Sequence, residues 1–204
     1  MTGYTGGPED RERVTAWATD VLADPKTVIL DTETTSLQGF LVEIAVIDVD
    51  RNVLFSSLIN PQMPISREAT QIHGISDRDV ADAPGFAEVF GELDKVLEGR
   101  RVVIYNAEFD TKVLYRELQR GFVANRGCGV VEAAQRATAW MDRWATWECA
   151  MEAYSAFAGE WSEYHGSYRW LPLNGGHRAL DDCLAVVTRL EVMSGRLLAR
   201  GGGR

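Results

Sequence analysis

Cysteine is scarce in this 204-residue chain: there are three, Cys128, Cys149 and Cys183, widely spaced and without a C-x-x-C pair. That excludes a disulfide framework and a zinc knuckle and leaves reduced thiols that pack. Long apolar runs are also missing. No stretch approaches the roughly 20 residues that span a bilayer, and the start, MTGYTGGPEDRER, lacks the basic-then-apolar order of a signal peptide. No membrane association and a cytoplasmic location are therefore expected. Positive charge is in deficit, with 21 Lys and Arg against 30 Asp and Glu and a net charge of −9. This argues against a broad basic surface gripping duplex DNA. Acids gathered at a divalent-metal site would nevertheless reverse the local field and admit one end of a strand.

What is present is an apolar fraction of 46%, enough for the core of one globular domain. Residues 1–8 are small and polar and read as a disordered tail, 9–198 as a single domain, and 199–204 as a flexible tail. Val14, Trp17, Val21 and Leu22 space a helix over 9–23. Strands follow at 27–33, 41–49 and 53–59, the last two joined tightly through Asp50-Arg51-Asn52. Short helical turns are expected at 66–72 and 76–80, a helix at 85–98, a buried strand at 101–105 and a helix at 108–119. A loop at 121–129 leads to a helix over 130–145, and residues 125–145 read as a helical insertion. Residues 147–151 return to the sheet before a helix at 152–160. Residues 161–176 read as a long aromatic, Gly-rich loop, and 179–193 as the final helix, turning Cys183 inward. The order is that of an α/β mixed sheet with helices packed on it.

Three constellations carry chemistry. Asp31 and Glu33 end the first apolar strand two positions apart, so both point to one face and repel unless something positive lies between them. In YNAEFD, residues 105–110, Asn106 closes a strand and Asp110 enters the next helix, where a carboxylate also suits the helix dipole. In GGHRALDDCLAVV, residues 175–187, His177 and Asp182 lie five apart, so His177 projects from the loop while Asp182 rises from the helix, with Asp181 directed to solvent. Each motif alone has an ordinary structural explanation as a solvated edge, a cap or a surface histidine.

Taken in order, D-x-E, N-x-x-F-D and H-x-x-x-x-D, with IHGIS at 72–76, resemble the DnaQ-like DEDDh 3′–5′ exonuclease family over about residues 26–195. The chain departs from the family pattern with Ser36 in place of glycine in DTETTSL, with Tyr105 where many members have histidine, and with a longer 122–148 segment. The resemblance implies an RNase H-like fold, a central mixed five-stranded β-sheet flanked by α-helices. It also implies two divalent cations, Mg²⁺ or Mn²⁺, held by Asp31, Glu33, Asp110 and Asp182. Asp31 bridges them, Glu33 and Asp182 complete one site, and Asp110 supports the other. His177 is the implied general base, and Thr34, Leu37, His73, Asn106 and Phe109 would line the terminal-nucleotide pocket.

The implied activity is hydrolysis at the 3′ end of single-stranded nucleic acid to nucleoside 5′-monophosphates, with DNA slightly favoured over RNA. An exoribonuclease and a noncatalytic binding module on the same fold are the alternatives. A homodimer and a polymerase or repair partner both stay open, with the tryptophan-bearing insertion as the expected contact. Trp140, Trp144 and Trp147 are expected to pack. The loop aromatics Trp161, Tyr164, Tyr168 and Trp170, with Arg169 and Arg178, are the expected substrate contacts.

Overall fold

Strand β1 (Thr27–Thr34) has no exposed residue, which fits a strand at the middle of a sheet covered on both faces. The computed structural model describes residues 3–143 and 147–197, and in it β1 is the third strand of a five-stranded sheet ordered β3-β2-β1-β4-β5. It pairs antiparallel with β2 (Leu41–Asp48) and parallel with β4 (Arg101–Ile104); β3 (Val53–Leu58) and β5 (Trp147–Cys149) are the edges. The mixed sheet agrees with the sequence reading.

Alternation along β1 divides the core into two layers. Ile29 packs with α1 (Glu9–Ala23), α7 (Ala150–Ala158) and α8 (Ala179–Met193). Val28 and Leu30 pack against α4 (Phe86–Leu97), α5 (Ala107–Arg126) and α6 (Val130–Arg143). Continued two residues at a time, the first face carries Asp31 and Glu33 and the second carries Thr32. Two short helices, α2 (Arg67–His73) and α3 (Asp77–Val80), cover Val42 and brace the β1–β2 turn.

Three expectations are corrected. The helix expected to stop at residue 119 runs through Gly121 to Arg126, because Phe122 still packs on the core and the left-handed C-cap is Gly127, at φ +59°. Residues 161–176 contain a hairpin, β6 (Trp161–Ser162) with β7 (Ser167–Tyr168), held by an edge-to-face pair of Trp161 and Tyr168 with rings 5.0 Å apart. Residues 3–8, expected to be disordered, are anchored: Thr5 and Gly6 amides donate to Asp10 Oδ2 at 2.8 and 2.9 Å, and Tyr4 packs edge-on to Tyr168. Trp140 and Trp147 pack together as expected, with rings 6.2 Å apart, and Trp147 lies on β5, in the segment expected to return to the sheet. Trp144, residues 1–2 and the 199–204 tail lie outside the described residues. No helix among the described residues is long and apolar enough to cross a membrane.

Candidate active site

The carboxyl ends of β1 and β4 and the amino ends of α5 and α8 meet at one place. Asp31 and Glu33 come from β1, and Asp182 comes from the first turn of α8. One oxygen from each of the three lies within 4.8 Å of the others. Asp110, in the first turn of α5, is buried beside them and accepts a 2.6 Å hydrogen bond from Thr32 Oγ1. Thr32 was missed in the sequence. It sits on the opposite face of β1 from the acids, and its hydroxyl fixes the carboxylate that α5 brings in.

Crowding makes these acids reluctant to ionise together. Burial, then Asp110, Asp182, Glu33 and Glu43, pushes Asp31 well above the usual carboxylate range. Burial and the same neighbours push Glu33 up to about 8, with Arg178 opposing. Burial raises Asp110 despite the Thr32 hydrogen bond. Burial also raises Asp182, against the amides of His177 and Gly176. A set of converging carboxylate oxygens, each raised by burial and crowding, is a donor set that fits a hard divalent cation.

His177 leaves the loop before α8 in the left-handed region, at φ +52°, and its amide donates to Asp182 Oδ1 at 3.3 Å. Its exposed ring is therefore hinged beside the acids, as the five-residue spacing predicts. Gly175 is required here because a Cβ at that position would stand 1.7 Å from Asp182 Oδ1. Asp181 is exposed, as expected.

Glu43 is the second residue that the sequence reading missed. It pairs directly across from Glu33, is 7% exposed, and accepts from Arg178 Nε at 3.0 Å, Arg178 Nη2 at 2.5 Å and the Ala179 amide at 2.9 Å. It thus caps α8 and holds the residue next to His177, and it occupies Arg178, which was expected to touch substrate. The hairpin also corrects other loop expectations. Tyr168 is buried, Trp161 packs on it, and Arg169 reaches Glu160 at 3.6 Å. Tyr164, 92% exposed, and Trp170, 63% exposed, remain open to solvent. Tyr105, which stands where many family members have histidine, donates its hydroxyl to Leu171 O at 2.7 Å and ties the loop before α8 to the end of β4.

The residues expected around a terminal nucleotide divide. Leu37 is 85% exposed at the β1–β2 turn and takes no part in the core. Asn106 occupies the N-cap of α5, but its exposed side chain makes no capping bond. Phe109 is half-buried against the core, and Thr34 Oγ1 donates to Ser36 O at 2.8 Å. His73 is buried with both ring nitrogens engaged: Nδ1 accepts from the Ile75 amide at 3.0 Å, which leaves Nε2 to donate to Thr34 O at 3.2 Å. It supports the Thr34 backbone and has no ring nitrogen left for a nucleotide. Ser36 needs no left-handed backbone; the close approach falls at Gly39, where a Cβ would meet Thr35 Oγ1 at 2.2 Å.

A family model described as an exonuclease matches residues 28–190. An uncharacterized exonuclease of Escherichia phage 186 is 31% identical over 189 residues, covering 86% of this chain and 89% of that protein. The DNA polymerase III subunit epsilon of Rickettsia prowazekii is 40% identical over 99 residues, covering 45% of this chain but only 43% of that protein. The solved structure of Exonuclease X in complex with 5′ overhanging duplex DNA aligns with a TM-score of 0.50 and 27% identity, covering 83% of this chain and 93% of that one.

Proposed function

The chain belongs to the exonuclease family, and from that premise we propose that it hydrolyses single-stranded DNA from the 3′ end, releasing nucleoside 5′-monophosphates. One observation carries the reading: oxygens of Asp31, Glu33 and Asp182 converge within 4.8 Å, with Asp110 and the His177 loop against them. The preference for DNA is supported by the duplex DNA bound in the Exonuclease X structure and by the polymerase subunit among the relatives.

Asp31 would serve both of two Mg²⁺ or Mn²⁺ sites, with Glu33 and Asp182 completing one and Asp110 the other. Bound there, the cations supply positive charge to the attacking and leaving oxygens of an in-line displacement. The protein's own groups do the rest. The His177 imidazole, exposed beside the acids, takes a proton from the attacking water as general base. Leu37 covers the terminal nucleoside, Phe109 offers it an apolar edge, and the Asn106 amide hydrogen-bonds it. His73 keeps the Thr34 backbone in place beneath it.

The test is chromatography of products from a single-stranded oligodeoxynucleotide with Mg²⁺ or Mn²⁺. Nucleoside 5′-monophosphates should accumulate with wild type and be absent with Asp31→Ala. Equal release by the variant would refute the site. A folded protein that binds strands without turnover would instead be a noncatalytic module. Faster turnover of RNA of the same sequence would move the reading to an exoribonuclease.

A further inference from the structure

A cavity of about 720 Å³ lies outside the acids, at the β4–β5 end of the sheet's carboxyl edge. Its lining includes Tyr4, Trp17, Trp147 and Trp170, with Glu152 and with Asn106, the N-cap of the helix whose first turn carries Asp110. Core packing accounts for most aromatic residues of this chain, but it does not account for Trp170, which is 63% exposed. Its position is nevertheless restrained, because the next residue, Leu171, is held to the end of β4 through Tyr105.

We propose that this cavity receives a nucleobase from the strand upstream of the bond being cut, stacked on Trp170. The proposal rests on the exonuclease reading and extends it. Sheet order suggests the path: the acids lie on central β1, the proposed terminal-nucleoside site lies toward the β1–β2 turn at Leu37, and β4 and β5, beside the cavity, lie on the opposite side of β1. Asn106, at the end of β4, borders both spaces. The chemistry of the wall selects the part of the nucleotide that enters. Indole and phenol faces stack on any base. Arg13, the one lining cation among the described residues, is paired with Asp10, so the carboxylates of Glu108, Glu148 and Glu152 disfavour phosphate and can accept hydrogen bonds from base N–H groups. The volume is within the range of about 300–1,000 Å³ typical of small-ligand pockets, larger than one base needs.

Fluorescence anisotropy of a 5′-labelled single-stranded hexadeoxynucleotide in EDTA tests binding without hydrolysis. Trp170→Ala should weaken Kd about tenfold, and Trp170→Phe should restore it to within about threefold, in keeping with loss and recovery of one base stack. A second measurement compares kcat/KM for the hexanucleotide with that for the p-nitrophenyl ester of thymidine 5′-monophosphate, which has no upstream nucleotide. The ratio should fall about tenfold in Trp170→Ala. An unchanged Kd, or an unchanged ratio, would overturn the cavity's role. A weakened Kd in a protein that hydrolyses neither substrate would support the cavity while overturning the exonuclease reading.

Discussion

Replacing Glu43 by glutamine removes one charge and almost no volume, yet it strikes the joint that presents His177. The carboxylate receives two guanidinium nitrogens of Arg178 and the Ala179 amide. A charged hydrogen bond contributes about 1.5–3 kcal/mol, and glutamine keeps one oxygen for the Ala179 amide. Arg178 is 46% exposed and regains water when released, and relief of repulsion with Glu33 offsets part of the loss. The net cost is about 1.5 kcal/mol, which lowers Tm by about 3–6 °C in a domain of this size. The catalytic effect is separable. With the residue next to His177 loosened, kcat should fall about tenfold, equivalent to about 1.4 kcal/mol of barrier, with little change in KM. Thermal melts and steady-state kinetics on a single-stranded oligonucleotide measure both. A Tm fall with kcat unchanged would show that the Glu43–Arg178 pair is only a structural clamp and would refute its positioning role.

Other consequences follow from the crowding of the acids. Glu33 is raised from its ordinary value of 4.5 to about 8, so between those limits the folded state retains a proton that the unfolded chain releases. Stability in EDTA should therefore fall as pH rises from about 5 to 8, and added Mg²⁺ should flatten the profile; a Tm rising with pH over that window would contradict the electrostatics. Asp31→Asn should raise Tm at pH 8 in EDTA while abolishing hydrolysis, since it removes a carboxyl group whose ionisation burial and four carboxylates oppose. Gly175→Ala should reduce kcat by about 100-fold or more by displacing the Asp182 carboxylate, with a Tm loss of only a few degrees, as expected for a change in a surface loop. Full activity in that variant would mean that Asp182 is held elsewhere.

The acids were legible because a strand's period of two and a loop-to-helix boundary are local features, and both leave marks within a few residues. Glu43 and Thr32 left none. Glu43 lies inside the apolar run Leu41–Val46, and the residue that explains it, Arg178, is 135 positions away. Thr32 reads as an ordinary strand former until α5 brings Asp110 to it across 78 positions. The aromatic 161–176 segment was read as one class, whereas Trp161 and Tyr168 are a cross-strand pair and Trp170 is solvent-facing, a division that depends on the hairpin register. Likewise Gly121 looked like a stop, but the residue beyond it, Phe122, belongs to the core, and a packed side chain outweighs the roughly 1 kcal/mol that glycine costs a helix.

The most direct measurement is a time course with 5′-labelled single-stranded DNA and RNA of one sequence, in Mg²⁺, Mn²⁺ or EDTA, with Asp182→Ala alongside. A ladder that shortens from the 3′ end only when metal is present, faster on DNA and absent in the variant, is the predicted result. A label released at once as a mononucleotide, or a ladder that persists in EDTA or in Asp182→Ala, would contradict the proposed 3′→5′ metal-dependent site.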